Sequence, residues 1–356
     1  MSRRMLHYVK EKLATVLDRH EILKGYVEKL FNRKVAKYSL YPNWQQILGS
    51  DWEAWQQVLK KNQGGPRVLL ATSMGGHIPV AILESLLGVA LTLRGAEVHF
   101  LLCDKALPAC QECVVSDYPD REQQEHLVKF GPSRNHCHDC FAHAFAMYRS
   151  LGLHVHTYSA YLTEADKAAA QQISTSLSYK DIPAFHLDGL AVGEHAYAGA
   201  LRFFARGTLD GEDCAEPILR RYLEAALLTT SIIQRILQEH DFISAVFHHG
   251  IYVPQGLIGE VARQAKVNIV NWSVAYKKKC FIFSHDDTYH HTLMSEPVSQ
   301  WENISWNQNL ETQLLDYLKS RWHGTNDWIW FHERPQFDLT EIAKELAVDF
   351  SKPCIG

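Results

Sequence analysis

The sequence has no long uninterrupted apolar run. Charged residues such as Glu84 and Arg94 break its longest apolar stretches, so none reaches the roughly 20 residues of a transmembrane helix. The opening segment, MSRRMLHYVKEKL, also lacks the apolar core of a secretory signal peptide. A cytoplasmic protein is therefore expected, with its eight cysteines reduced rather than paired in disulfides.

An excess of one charge is missing as well. The 36 basic and 40 acidic residues are interspersed along 356 positions and give a net charge of −4, which offers no overall basic footprint for nucleic acid. The G-x-S-x-G motif of α/β-hydrolases does not occur either. We therefore expect no nucleic-acid partner and no hydrolysis by a nucleophilic serine of that kind.

The stretch from Arg67 to Asp104 predicts a strand, a glycine-containing loop, a helix and a second strand. Its apolar run 68–71 is typical of a strand buried on both faces. The glycine triplet, Gly75-Gly76-His77, lets a ligand approach the backbone, and Pro79 suits the first turn of a helix. Such a unit forms a right-handed parallel crossover, with its ligand at the carboxyl end of the first strand.

A second unit of the same kind spans residues 242–272. Its apolar strand ends in the histidine triplet, His248-His249-Gly250, and a helix begins near Pro254. Repeated units of this kind predict a Rossmann-like, doubly wound parallel sheet. Because the carboxyl ends of parallel strands share one edge, His77 is expected to lie near His248 and His249.

Two C-x-x-C pairs form the most specific local motif. Cys110 and Cys113 are followed, after twenty-three intervening residues, by Cys137 and Cys140. Four thiolates at this spacing predict one tetrahedral, structural zinc ion. An iron–sulfur cluster and a set of reduced, metal-free cysteines are the alternatives. Three neighbouring side chains compete as ligands: Cys103, His136 and His138.

Helical patterns fill much of the remaining sequence. Residues 1–62 predict a helical N-terminal extension. Thr163 and Asp166 predict a capping box that opens a helix reaching about residue 177. Further helices are expected up to Gly207, from Pro217 to 238, over 311–321 and over 338–348.

The two βα units carry a family resemblance. The glycine triplet, the long helix and the run RG-x-EV-x-FLLCD resemble the opening of GT-B glycosyltransferases of surface-polysaccharide biosynthesis. The later segment, HHGIYVPQG…NWSVAYKKKCFIFSHDDTYHHTL, is similar to the acceptor-side domain of the same enzymes, so the likeness covers roughly residues 67–295. It implies a Rossmann-like N-terminal GT-B domain over 63–350, with a cysteine-rich insertion at 103–140.

The resemblance also implies a substrate class. A nucleotide sugar would be the donor, and a saccharide or lipid-linked glycan would be the acceptor. Residues 351–356 would begin a second domain, so this chain or a partner protein would need that domain for transfer. An acceptor of this kind adds peripheral association with the inner face of the plasma membrane to the expected cytoplasmic location.

Histidine suits the base of such a reaction because its pKa lies near neutrality. His77 is our first candidate for that role, followed by His248 and His249. Zinc in this fold is expected to be structural and remote from the reaction centre. Substrate contacts are expected from the two triplets and from two cations, namely from Gly75, Gly76, Gly250, Arg202 and Lys277.

Two other classes of protein fit the same residues. A noncatalytic carbohydrate- or nucleotide-binding protein with the same sheet would bind the donor without turnover. A zinc-organised assembly module would use its cysteines to dock another biosynthetic protein. Measured turnover separates the first alternative from an enzyme, and a stable protein complex would identify the second.

Overall fold

The computed structural model describes residues 40–295, 297–322, 326–327 and 338–353. The part of the expected N-terminal helical extension that precedes residue 40 lies outside these ranges. The described chain is an α/β protein built on one six-stranded, mostly parallel sheet, as the sequence predicts. The strands, numbered β1 to β6, are Arg67–Ser73, Glu97–Leu102, His154–Thr157, Phe242–His248, Asn268–Val274 and Phe281–His285.

The strand order in the sheet is β3-β2-β1-β4-β5-β6. β1 pairs in parallel with β2 on one side and with β4 on the other, and β2 pairs in parallel with β3. The chain therefore moves outward from β1 in one direction and returns to the other side of β1 with β4. This reversal is a topological switch point, and it lies between the two strands that end in the predicted triplets.

The β1 strand is buried as its apolar composition predicts. Leu69, Leu70 and Ala71 are at most 1% exposed. Its pairing with β2 becomes irregular between Leu70 and Ser73, and Ser73 has a φ of 67°. This irregular pairing lies at the end of the strand, shortly before the glycine triplet leaves the sheet.

Thirteen α-helices lie within the described residues. Helix α3, after β1, contains Pro79 in its first turn, and helix α6 begins with the capping box of Thr163 and Asp166 that the sequence predicts. The helices α1 to α13 are Trp44–Leu48, Trp52–Lys61, Ile78–Leu93, Arg121–Phe130, Arg134–Arg149, Glu164–Ser176, Val192–Phe204, Ala215–Glu239, Gln255–Gln264, Tyr289–Ser295, Ser299–Glu302, Gln308–Trp322 and Leu339–Leu346.

The main core is organised by α8, which packs against α6, α7 and α9. Tyr222 on α8 is 1% exposed and lies so close to Gly199 on α7 that a Cβ at Gly199 would come within 2.5 Å of the ring. Helix α7 ends at Phe204, three residues before the predicted stop at Gly207. Ala205 adopts the left-handed conformation instead, and its N–H caps the helix.

The chain divides into two compact units, with the boundary between residues 271 and 272 inside β5. In the second unit, Lys277 forms a bridge with Asp327. The Asp327 carboxylate accepts a hydrogen bond from Tyr317 Oη at 2.7 Å and pairs with Arg321 Nε at 3.1 Å. This pairing ties α12 to the strand-like turn around Lys277.

Candidate functional site at the sheet edge

The two predicted triplets meet at the switch point. His77 is the residue before α3, and His248 is the last residue of β4. Their ring centroids lie 5.8 Å apart with the planes at 79°, and the His249 ring lies 5.7 Å from that of His248. The structure thus brings together the three histidines that the sequence singled out for catalysis.

A hydrogen-bond network fixes the His248 side of this edge. The His248 N–H donates to Thr72 Oγ1 at 2.9 Å, and the Thr72 hydroxyl donates to the buried Glu84 carboxylate. Gln255 Nε2 donates to the Thr72 carbonyl at 3.2 Å. The end of β1 is therefore bonded to the end of β4 and to the start of α9.

The three histidines lie in different environments. His77 is exposed, His249 is half-buried with a φ of 71°, and His248 is buried. Burial, with contributions from the neighbouring His249 and His77, lowers the pKa of His248 to about 3. His248 is consequently a neutral imidazole at neutral pH. Gly250, the last residue of the histidine triplet, has a φ of 86°, and its N–H donates to the His248 carbonyl.

The two glycines of the glycine triplet contact the protein itself. A Cβ on Gly75 would lie 2.2 Å from the Cys140 carbonyl oxygen and 2.3 Å from Ala144 Cβ. The Gly76 N–H donates to Cys140 Sγ at 3.1 Å, and Tyr41 Oη donates to the Gly75 carbonyl at 2.7 Å. The glycines therefore let α5 approach the loop closely, which is a contact that sequence analysis did not anticipate.

The predicted cysteines gather beside this loop. Cys103, Cys110, Cys137 and Cys140 line one cavity, named the cysteine cavity here, together with His136 and Glu112. Cys113 is 1% exposed and is not among the residues that line it. The second C-x-x-C pair lies within the first two turns of α5, the helix that Ser133 caps.

The thiols of the cysteine cavity influence one another. Burial raises the pKa of Cys103 to about 12, with a further contribution from Cys110. Burial, with contributions from the neighbouring thiols of Cys110 and Cys103, raises the pKa of Cys137 to about 12. A bound cation is what would stabilise these groups as thiolates.

The prediction of a metal remote from the candidate reaction centre is wrong in its geometry. Cys140 accepts a hydrogen bond from the residue that precedes His77, and the Gln111 N–H donates to the carbonyl of Val253, just after the histidine triplet. The cysteine-rich segment therefore packs against both triplets. The zinc ion itself stays a prediction.

The two predicted cations have protein partners. Arg202 Nη1 donates to the Gln111 carbonyl at 2.6 Å, and the guanidinium lies 5.5 Å from the centre of the Tyr252 ring. Lys277 Nζ, in the second unit, lies 5.6 Å from the centre of the Tyr317 ring. The Arg202 contact holds the loop that carries Cys110, so this arginine supports the cysteine-rich segment.

A second cavity, with a volume of about 560 Å³, adjoins the cysteine-rich segment. It is lined by the basic side chains of Lys105, Lys167 and Arg221 and by Cys137, and none of the three candidate histidines borders it. Arg221 is paired with Glu224 at 2.6 Å. Lys167 is likewise paired with Glu164 at 2.7 Å, and Glu224 itself lines the cavity, so this lining carries charges of both signs.

Sequence analysis missed a histidine cluster near the amino ends of β2 and β3. Glu97 Oε1 lies 3.4 Å from His99 Nε2 and 3.8 Å from His154 Nε2, so these three side chains could hold a metal ion. His99 Nδ1 lies 2.7 Å from His156 Nε2, and Tyr161 Oη lies 2.6 Å from His156 Nδ1. The available signal was that Glu97 and His99 alternate along β2 and that His154 and His156 alternate along β3, because alternate residues share one face of a sheet.

No model of a known protein family matches the chain, and no curated protein matches it either. Within the described residues, no helix is both long and apolar enough to cross a membrane. Fold and candidate site together define an α/β protein with three histidines at its topological switch point. Next to these histidines lies a cavity lined by four cysteines.

Proposed function

We propose that this chain is the acceptor-side part of a GT-B glycosyltransferase. It would transfer a sugar from a nucleotide-sugar donor to a saccharide or lipid-linked acceptor. The observation that carries the proposal is the pair of imidazoles, His77 and His248, placed 5.8 Å apart at the switch point. Open α/β sheets bind their ligands at such a switch point. Residues 63–350 would form the N-terminal domain, with 1–62 as a helical extension.

The histidine environments support a division of roles. Transfer to a hydroxyl group needs a base that takes the hydroxyl proton while the oxygen bonds to the anomeric carbon. The nucleoside diphosphate then leaves with the electrons of the old glycosidic bond. His77 suits the base because it is exposed to a bulky acceptor, whereas the buried and neutral His248 suits a hydrogen-bonding group that orients the acceptor.

The first test is acceptor binding by the chain, because donor binding is expected to involve a second domain. A panel of saccharides and lipid-linked glycans would be screened by NMR, following the imidazole resonances of His77 and His248. Binding that shifts both resonances is expected, and His77→Ala should weaken it. His126→Ala is the matched control because His126 is exposed on α4, outside the candidate site.

The second test is transfer, measured by mass spectrometry with nucleotide sugars and any acceptor found to bind. His77→Ala should lower the rate by about 100-fold or more, the usual contribution of a general base. Full activity of His77→Ala would overturn the assignment of the base. Failure of every saccharide, glycolipid and nucleotide sugar to bind would overturn the proposed function itself.

A noncatalytic binding protein is the second candidate. The observation that favours it is the closure of the glycine triplet on the protein's own α5, through the Gly76–Cys140 hydrogen bond. Backbone groups that are already bonded are not offered to a donor phosphate. Acceptor binding without turnover, even when a donor-binding partner domain is supplied, would establish this function instead.

A further inference from the structure

The cysteine cavity draws its four thiols from three different parts of the chain. Cys103 directly follows β2, and its N–H donates to the Ser73 carbonyl at 2.8 Å. Cys110 lies on a loop, and its own carbonyl accepts a hydrogen bond from the hydroxyl of the buried Tyr222 at 3.1 Å. Cys137 and Cys140 belong to α5. Each segment is therefore held by the fold independently of the thiols.

The four thiols are spaced differently from the sulfur ligands of a single zinc ion. Four sulfur ligands at the usual Zn–S distance of about 2.3 Å lie about 3.8 Å from one another. Across the described parts of the chain, Glu97, His99 and His154 are the one set of three ligand side chains whose atoms lie mutually within 4.8 Å. The cysteines surround a space without closing on one point.

We propose that Cys103, Cys110, Cys137 and Cys140 bind a [4Fe–4S] cluster beside the glycine triplet. Four cysteine thiolates are the usual ligands of this cluster, and its iron atoms stand between the thiolates and hold them farther apart than one ion does. Cys103 takes the place that the C-x-x-C spacing assigns to Cys113. This inference is independent of the proposed glycosyl transfer.

The surroundings of the cavity suit such a cluster. The Gly76 N–H bond to Cys140 Sγ, at 3.1 Å, is of the kind that tunes iron–sulfur centres. His136 lines the cavity, and its buried Nε2 has no hydrogen-bond partner among the described residues. Lys105 brings a positive charge toward an anionic cluster, and the Glu112 carboxylate, which also lines the cavity, brings a negative one. Apolar walls keep water away: Met74, Leu107, Pro132 and Pro254.

Cys113 contacts the thiol of Cys110 but does not line the cavity. It is 1% exposed and belongs to the main hydrophobic core, together with Tyr118 and Tyr222. Its carbonyl lies 3.4 Å from Tyr222 Oη. The pair Cys103 and Cys113 therefore provides a ligand and a matched non-ligand cysteine within one short segment.

The test is the metal and sulfide content of the full chain, expressed and purified without oxygen. About four iron atoms and four acid-labile sulfides per chain are expected, with visible absorbance that bleaches on reduction with dithionite. About one zinc per chain without sulfide would overturn the proposal in favour of the zinc site. Absence of both iron and zinc, before and after incubation with iron and sulfide, would overturn it as well.

The ligand set is tested with Cys103→Ser and Cys113→Ser. Cys103→Ser should lose most of the iron and sulfide, and Cys113→Ser should retain them. Circular dichroism establishes that both variants are folded. If Cys103→Ser does not fold, Cys137→Ser is the substitute on the ligand side. Iron lost from Cys113→Ser but kept in Cys103→Ser would overturn the assignment of Cys103.

Discussion

The backbone N–H of Gly76 donates a hydrogen bond to Cys140 Sγ across 3.1 Å. Gly76 precedes the candidate base His77, and Cys140 lines the cysteine cavity. One hydrogen bond thus links the loop of the candidate site to the segment that would carry a metal centre. A change in the cysteine segment is therefore expected to reach the position of His77.

Gly75→Ala should strongly destabilise the protein. The new Cβ would lie 2.2 Å from the Cys140 carbonyl oxygen. Because the backbone fixes the positions of both atoms, a change of side-chain rotamer cannot relieve the clash. Overpacking of this kind costs about 1–3 kcal/mol or more. Urea denaturation of the variant measures the effect. Gly207→Ala is the control, because a Cβ there meets no atom within 4 Å; equal stability losses in the two variants would contradict the argument.

Thr72→Val should lower the free energy of unfolding by about 1–3 kcal/mol, the usual effect of removing one partner of a buried hydrogen bond. The valine has nearly the same shape but can neither accept from the His248 N–H nor donate to Glu84. Thr72→Ser restores the hydroxyl and serves as the matched control. Equal melting temperatures for Thr72→Val and Thr72→Ser would contradict the prediction, because the hydroxyl group would then contribute nothing to stability.

Arg202→Ala should destabilise the fold, although the sequence predicts a substrate contact for Arg202. The substitution removes the donor to the Gln111 carbonyl and the stacking over Tyr252, at a cost of about 1–3 kcal/mol. Arg206→Ala, four residues further along the chain and beyond the end of α7, should stay within about 0.5 kcal/mol because Arg206 is exposed. Unchanged stability of Arg202→Ala, measured by chemical denaturation, would return this arginine to the list of substrate-binding candidates.

The histidine cluster should make stability rise with pH between about pH 3 and 6.5. Burial, with a contribution from His154, lowers the pKa of His99 from 6.5 to about 4; burial, with contributions from His99 and His240, lowers that of His156 to about 3. The unfolded chain then binds protons in this range while the folded chain does not, so acid favours unfolding. The full stabilisation is present above pH 6.5, the pKa of these histidines in the unfolded chain.

Melting temperatures recorded from pH 4 to pH 8 test this sign. His156→Asn should flatten the slope below pH 6.5, whereas substitution of the exposed His126 by asparagine should leave it unchanged. Glu97 contributes in the same direction at lower pH, because hydrogen bonds from the Gly64 N–H and Arg67 lower the pKa of its carboxyl. A stability that falls as the pH rises through this range would contradict the prediction.

Local patterns in the sequence were sufficient for the elements that build the sheet. The apolar strands, the triplets that follow them and the Thr163 capping box depend on residues close in sequence, and the structure has all of them. The approach of His77 to His248 followed from one general rule about parallel strands. Prediction of the fold therefore needed little long-range information.

The cysteine ligands and the histidine cluster required information that sequence spacing does not contain. The C-x-x-C pattern pointed to Cys113, but Cys113 lies in the core, while Cys103 reaches the cavity because β2 ends beside β1. His99 and His154 meet through the register of β2 with β3, where they are direct partners. Both outcomes depend on tertiary pairing, which a single sequence shows only indirectly.

The bonding of Thr72 has a consequence for how a ligand would be received. Its carbonyl is held by Gln255 and its hydroxyl accepts from the His248 N–H, so β4 is anchored at its last residue. His248 is thus ordered before any ligand arrives, whereas His77 is exposed. When a molecule bridges the two imidazoles, the His248 side chain would lose little conformational entropy and the His77 side chain would lose more. Only the His248 side of the site is therefore preorganised.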